Sequence, residues 1–238
     1  MAFKEVFKRV EKKYVITKDQ LEALMPTIDE YMCGDSYGKS TIYNIYFDTP
    51  THAMIRASID KPVYKEKLRL RCYGKPNDDT TAFVEIKKKY RGTVYKRRIS
   101  MSYREAMDFT CRGIAPEHDS QIAHEIEWLL GYYDRIAPAM VLTYDRIAFF
   151  AKDDPDLRIT FDSNILSRDY DFDLSLGTYG VPLLQDGECL MEIKIPDAMP
   201  LWLVRKLDEL KIFPGSFSKY GSAYTDLIKK TRRLSNVK

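Results

Sequence analysis

No apolar run in the 238-residue sequence approaches the about 18 residues needed to cross a bilayer, so no transmembrane helix is predicted. The first residues, Met1-Ala2-Phe3-Lys4-Glu5, lack the apolar core of a signal peptide. Cysteine is sparse. Cys33, Cys72, Cys111 and Cys189 are scattered without a Cys-x-x-Cys pair, which argues against a zinc site or disulfide framework and suits reduced thiols in a cytoplasm. Histidine is scarcer still: His52, His118 and His124 have no ligand spacing and are expected to be surface or structural residues. Net charge is also low. The balance of 38 basic and 35 acidic residues, +3, is too small for nucleic-acid binding by bulk charge, so the arrangement of charge matters more than its sum. The runs Lys87-Lys88-Lys89 and Lys229-Lys230-Thr231-Arg232-Arg233 read as solvated faces, Lys87 excepted by its parity. There is no solenoid-type repeat and no low-complexity linker, and residues 1–238 are expected to form a single domain.

What is present is alternation. In Lys67-Leu68-Arg69-Leu70-Arg71 the cations take one face, and Leu68, Leu70 and Cys72 take the other. In Phe83-Val84-Glu85-Ile86-Lys87, Val84 and Ile86 oppose Glu85 and Lys87; in Val94-Tyr95-Lys96-Arg97-Arg98, Lys96 and Arg98 share a face. Period-two alternation marks strands with one apolar face. Like charges side by side on a sheet repel, so this face calls for a polyanion.

Around these strands the pattern predicts a first strand over Phe7 to Ile16 and a helix over Lys18 to Met32, capped by Thr17 and kinked or split by Pro26. A strand over Ser40 to Phe47, a short helix over Thr51 to Ser58, and a hairpin turn at Lys89 to Thr93 with Gly92 follow. Ser102 caps a helix to about Phe109, and Asp119 to Tyr133 is amphipathic. Strands are predicted over Pro138 to Phe150, Leu157 to Phe161 and Glu188 to Ile195, with Asn164 to Gly180 irregular. One helix opens at Pro196-Asp197, and a last one follows Phe217-Ser218-Lys219-Tyr220. This order lacks regular βαβ alternation. It indicates an α+β fold: an eight-stranded antiparallel β-barrel tunnel that closes its own edges, with helices around it.

Charges of matching parity recur on most of these strands: Glu11 and Lys13; Lys67, Arg69 and Arg71; Glu85 and Lys87; Lys96 and Arg98; Arg146; Arg158 and Asp162; Glu192 and Lys194. Buried dry, so many like charges would cost several kcal/mol per ion. A wet tunnel holding phosphates removes that difficulty, with Arg as a bidentate fork and Lys as a point charge. Carboxylates among the cations would hold a divalent metal that bridges phosphates. Glu85 either takes part in this or fixes Lys87. Asp162 is expected to partner Arg158, Ser218 to touch phosphate or cap the last helix, and Tyr14, Tyr144 and Tyr220 to pack.

The ordered set Glu11-x-Lys13-Tyr14, Leu68-Arg69-x-Arg71-x-Tyr73-Gly74, Val84-Glu85-x-Lys87, Lys96-x-Arg98, Tyr144-x-Arg146, Arg158-x-Thr160-x-Asp162, Met191-Glu192-x-Lys194 and Phe217-Ser218-Lys219-Tyr220 resembles the VTC domain. That is the catalytic domain of the vacuolar transporter chaperone polyphosphate polymerases, within the triphosphate tunnel metalloenzymes, the CYTH-like superfamily. The resemblance runs from about Val6 to Tyr224. It implies a tunnel that elongates polyphosphate from the γ-phosphate of ATP. Lys13, Arg69, Arg71, Lys87, Lys96, Arg146 and Arg158 would bind triphosphate and product, with Lys67, Arg98 and Lys194 beside them by parity. Ser218 and Lys219 would close on phosphates, and Glu192, with Glu11 and Glu85 as further candidates, would hold Mn²⁺ or Mg²⁺. Two departures stand out. The superfamily's opening Glu-x-Glu-x-Lys has Arg9 in its first position here, which tilts the reading from hydrolase or cyclase toward polymerase; and Ser216 stands where the family has a basic residue. The rival readings are a metal-dependent triphosphatase and a non-catalytic polyphosphate-binding module. A nucleic-acid partner is not expected. A peripheral association through a separate membrane protein is compatible with the chain.

Overall fold

The structure, a computed structural model, describes residues 10–60, 62–196 and 198–235. Its strands in chain order are β1 (Val10–Thr17), β2 (Met32–Gly34), β3 (Ser40–Asp48), β4 (Tyr64–Tyr73), β5 (Thr81–Tyr90), β6 (Thr93–Ser102), β7 (Ala137–Ala151), β8 (Arg158–Arg168), β9 (Val181–Pro182) and β10 (Glu188–Ile195). The helices are α1 (Lys18–Tyr31), α2 (Ala53–Ile59), α3 (Tyr103–Arg112), α4 (Gln121–Tyr132), α5 (Leu201–Glu209) and α6 (Lys219–Ser235). The fold is α+β. The strands make one antiparallel sheet in the order β1-β10-β8-β7-β3-β4-β5-β6, with β2 beside β7 and β9 beside β8. That path is open at β1 and β6, so the expected closed barrel is not formed by hydrogen bonding among the described residues. None of the described helices is long and apolar enough to cross a membrane.

The chain divides into two compact units. The first holds residues up to Ser40, Asp145–Ile165 and Leu184–Phe217. In it β10 lies between β1 and β8, and the inward parity of each strand fills one core: Tyr14 and Ile16, Ile159 and Phe161, Met191 and Ile193, under Leu24 and Ile28 of α1 and Leu203 of α5. The opposite parity carries the charges. Thr17 caps α1 in a capping box with Gln20. Pro26 sits inside α1 without ending it; Pro26 and Glu22, whose carbonyl loses its helical donor, are both exposed. The expected start of the first strand, Phe7 to Arg9, lies outside the described residues.

The second unit holds Thr41–Tyr144, Leu166–Leu183 and residues from Ser218. In its meander β3-β4-β5-β6 helix α2 lies between β3 and β4, and the two-residue turn Arg91-Gly92, with φ of 45° and 87°, joins β5 to β6. Positive φ at both positions is what a tight hairpin requires, and glycine takes the second at no steric cost. Leu68, Leu70, Val84 and Ile86 pack against Ala106 and Phe109 of α3 and Ile126 and Leu129 of α4. Ser102 and Ser120 cap these two helices.

Two further expectations need correction. Strand β8 does not stop at Phe161 but runs to Arg168. Its alternation is broken at Asn164, which has φ 51°, and its end is masked by a buried cation: Arg168 donates to the carbonyls of Asp171, Asp173, Gly177 and Tyr179, pinning the irregular segment that follows. Helix α5 starts at Leu201, after Pro200, rather than at Pro196. A residue before proline is driven out of the α region, so Met199 cannot continue a helix begun earlier; Asp197 is outside the described residues.

Candidate functional site

The register of the second unit sets the charged face. Tyr46 lies opposite Arg69, Arg69 opposite Glu85, and Glu85 opposite Arg98. One pair further along, Lys67, Lys87 and Lys96 stand in a row; in the other direction Asn44, Arg71 and Phe83 do. Directly opposed residues in an antiparallel ladder share a face, so the shared face read from parity is present. On β4, β5 and β6 the predicted cations Lys67, Arg69, Arg71, Lys87, Lys96 and Arg98 are accompanied by one predicted carboxylate, Glu85.

Glu85 is buried and held as an anion. Arg69 donates from Nε (3.0 Å) and from Nη2 to Glu85 Oε2, and Lys96 Nζ lies 2.6 Å from Oε1. Burial pushes its pKa up, but Arg69 and Arg71 outweigh this and hold it at about 2. Arg69 Nη1 donates to the Tyr46 hydroxyl at 3.1 Å. Tyr46 is half-buried, and its desolvation alone would raise its pKa; Arg69, Lys67 and Arg71 bring it down to about 8. Arg71 Nε donates to Asn44 Oδ1 at 2.9 Å and Nη2 to the Tyr144 hydroxyl at 3.0 Å, while Asn44 Nδ2 donates to the Leu142 carbonyl at 2.9 Å. Arg98 lies over the Phe83 ring, 4.8 Å from its centroid.

The start of α6 reaches this face. Ser218 Oγ accepts from Gly221 N at 3.2 Å, as a helix cap would, and from Lys67 Nζ at 3.4 Å. The capping geometry expected of Ser218 is present, and its hydroxyl lies beside Lys67. Lys219 Nζ lies 4.7 Å from the Tyr144 ring centroid. Tyr220 stacks on Tyr46 at 4.7 Å and donates to Asp48 Oδ2 at 2.9 Å.

The first unit has its own charged cluster. Lys13 is opposite Glu192, and Glu192 opposite Thr160; Glu11 is opposite Lys194, and Lys194 opposite Arg158. Lys13 Nζ is 2.9 Å from Glu192 Oε1 and 3.4 Å from Glu11 Oε1. Burial would lower the pKa of Lys13, but Glu192 and Glu11 raise it above the ordinary lysine value. Arg146 grips Asp162 with two bonds, of 2.6 and 2.7 Å, and reaches Glu192 Oε2 at 3.2 Å. Asp162 was expected to partner Arg158. The two are four residues apart on β8, about 13 Å along a strand, and Arg158 instead pairs with Asp35 at 3.2 Å. Burial lowers the pKa of Lys194.

Two carboxylates, Glu11 and Glu192, therefore meet at one cationic position, at present the Lys13 ammonium. That donor set fits Mg²⁺ or Mn²⁺, which take one or two carboxylates and fill their shell with phosphate oxygens and water. It is not an all-protein cage: among the described residues no group of three His, Cys, Asp or Glu side chains converges. The oxygens of Glu85 likewise lie on two cations, Arg69 and Lys96, as those of Glu192 lie on Lys13 and Arg146.

Asn44, Tyr46 and Asp48 escaped the sequence reading. The signal was available, since they share the even parity of β3, opposite Tyr43, Ile45 and Phe47. Tyr144 and Tyr220 are buried as expected, but their hydroxyls carry polar contacts to Arg71 and Asp48.

The family model described as the VTC domain matches residues 8–228. The chain belongs to the VTC domain family. No curated protein sequence matches it. Among solved structures, a candidate adenylate cyclase from Bacillus halodurans is similar with a TM-score of 0.56 at 12% identity, covering 88% of this chain and 93% of its own. A candidate adenylyl cyclase from Hippeastrum, described as having a dominant triphosphatase activity, is similar with a TM-score of 0.55 at 14% identity, covering 92% and 96%. At these identities the likeness is one of fold alone. Membership of the VTC domain family supports an enzyme that handles triphosphates.

Proposed function

We propose that this VTC chain, taken as a single domain over residues 1–238, is a polyphosphate polymerase: it transfers the γ-phosphate of ATP to a growing polyphosphate chain and releases ADP. The observation that carries the reading is the face of β4, β5 and β6, where Lys67, Lys87 and Lys96 oppose one another directly and Glu85 is already committed to Arg69 and Lys96. Like charges side by side repel, and an anion laid across the row relieves that repulsion. A condensed phosphate, with charge repeated along its length, matches cations repeated along strands.

In this reading Lys67, Arg69, Arg71, Lys87, Lys96 and Arg98 hold the triphosphate and product chain, with Ser218 and Lys219 beside them. In the first unit, Lys13, Arg146, Arg158 and Lys194 have the chemistry for phosphate contacts of their own. Glu192 with Glu11 would hold Mn²⁺ or Mg²⁺, which when bound supplies charge neutralisation to phosphate oxygens and to the ADP leaving group. The protein's own part is positioning. Guanidinium forks fix the acceptor so that its terminal oxygen lies in line with the γ-phosphorus. A bond forms between that oxygen and the γ-phosphorus, and the bond from the γ-phosphorus to the β,γ-bridging oxygen breaks, that oxygen leaving on ADP. The acceptor is already ionised, so neither a protein nucleophile nor a general base is needed.

The triphosphatase activity described for the Hippeastrum protein favours a second reading, hydrolysis of a triphosphate. Arg9, in place of an acid in the opening motif, weighs against it. The experiment is to incubate the protein with ATP and Mn²⁺ and follow ADP, free phosphate and polymer. ADP with polymer is expected. Free phosphate or pyrophosphate without polymer would establish hydrolysis, and tight polyphosphate binding without turnover would leave a binding module.

A further inference from the structure

We propose that Tyr46 is a positioning residue that ties the Arg69 guanidinium to the first turn of α6, so that a condensed phosphate on β4 and the order of that turn are energetically linked. The inference rests on the phosphate-binding reading of β4 and goes beyond it, because it concerns how the site is held and what its occupancy moves.

The argument starts from the guanidinium. Nε and Nη2 of Arg69 both bond the same oxygen, Glu85 Oε2. Two bonds to one atom leave a pivot about that atom. The Tyr46 hydroxyl on Nη1 supplies a second fixed point and so sets the plane. Tyr46 is itself fixed from behind. Its ring stacks on Tyr220, 25° from parallel, and Tyr220 is 2% exposed. The Tyr220 hydroxyl donates to Asp48, whose carboxylate also accepts from the backbone N–H groups of Thr49 and, in the first turn of α2, of Met54 and Ile55. The orientation of Arg69 therefore depends on how α6 is seated against α2.

Two parallel links support this. Ser218, next to α6, touches Lys67, and Lys219 lies over Tyr144, whose hydroxyl accepts from Arg71. Successive residues 218, 219 and 220 thus each reach one of the alternating cations of β4. Coupling of this kind is reciprocal: if a seated helix start strengthens anion binding, anion binding must order the helix start by the same factor. Neither tyrosine needs to touch phosphate.

The test uses the full chain with tripolyphosphate as probe, with affinity read by calorimetry and amide hydrogen exchange read over residues 218–224. In the wild type, tripolyphosphate should slow exchange in this segment. Tyr46→Phe keeps the stacked ring but removes the hydroxyl; it should weaken tripolyphosphate binding about three- to tenfold, the worth of one net hydrogen bond, and reduce the exchange protection. Tyr220→Phe leaves every Arg69 contact intact and should nevertheless weaken binding similarly, the double variant being no worse than the weaker single one. Binding to the wild type without protection of 218–224, or single effects that add, would overturn the linkage while leaving the phosphate site standing. Absence of tripolyphosphate binding in the calorimeter would overturn the site and the linkage together. If Tyr220→Phe does not fold, as judged by its melting curve, the exchange difference between wild type and Tyr46→Phe decides.

Discussion

At the residue scale, Glu85 shows how one carboxylate organises a cationic face. It is placed where burial would neutralise it, and Arg69 and Arg71 keep it ionised at a pKa of about 2, against an ordinary 4.5. A carboxyl depressed in this way contributes stability that is fully present above about pH 4.5 and is lost as the pH falls toward 2. The shift corresponds to a contribution on the order of 3 kcal/mol. Urea unfolding should therefore show wild type more stable than Glu85→Gln at pH 6, with the gap closing between pH 4.5 and 2.5; a gap independent of pH would mean the ion pair does not set the stability. Alternation alone picked out Arg69 and Glu85, because period two needs only local sequence. It could not pick out Tyr46 or Asn44 as their partners, since those pairings depend on which strand lies next to β4 and in what register. Asp162 went to the wrong arginine for the same reason: Arg158 was near in sequence, whereas Arg146 is its partner across the sheet.

At the element scale, the rows on β4, β5 and β6 trade stability for binding. Lys87 stands between Lys67 and Lys96 and is exposed. Lys87→Ala should raise the stability of the free protein by about 0.5 kcal/mol and weaken tripolyphosphate binding; calorimetry and a urea titration on the same preparation read both, and a destabilised variant would contradict the account. The seam between α2 and α6 works the other way. Asp48 is 1% exposed and accepts from Thr49, Met54, Ile55 and Tyr220. Asp48→Ala leaves buried donors unpaired and should cost about 2 kcal/mol or more, seen as a lower urea midpoint; an unchanged midpoint would show that the seam adds nothing to the fold. Most elements were legible because their signals are local: the Thr17 and Ser102 caps, the hairpin turn at Lys89 to Thr93 with Gly92, the alternation of β10. The second half of β8 was not, because a positive φ at Asn164 breaks the period and Arg168 is satisfied only by carbonyls of a segment that has no pattern of its own.

At the scale of the whole molecule, the chain is two compact units assembled from interleaved segments, with charged faces in each opposite to its apolar core. The α+β class and antiparallel sheet followed from strand order without βαβ alternation. Closure did not, because pairing between the first and last strands of a path leaves no trace in either strand's own sequence. The family was legible from the ordered set of short motifs, each weak by itself. The central claim is the fate of the γ-phosphate, and ATP labelled there, given with Mn²⁺ and a short polyphosphate primer, tests it most directly. The account predicts label in lengthened polymer, one ADP for each phosphate added and little free phosphate; label released as free phosphate, with the primer unextended, would contradict it.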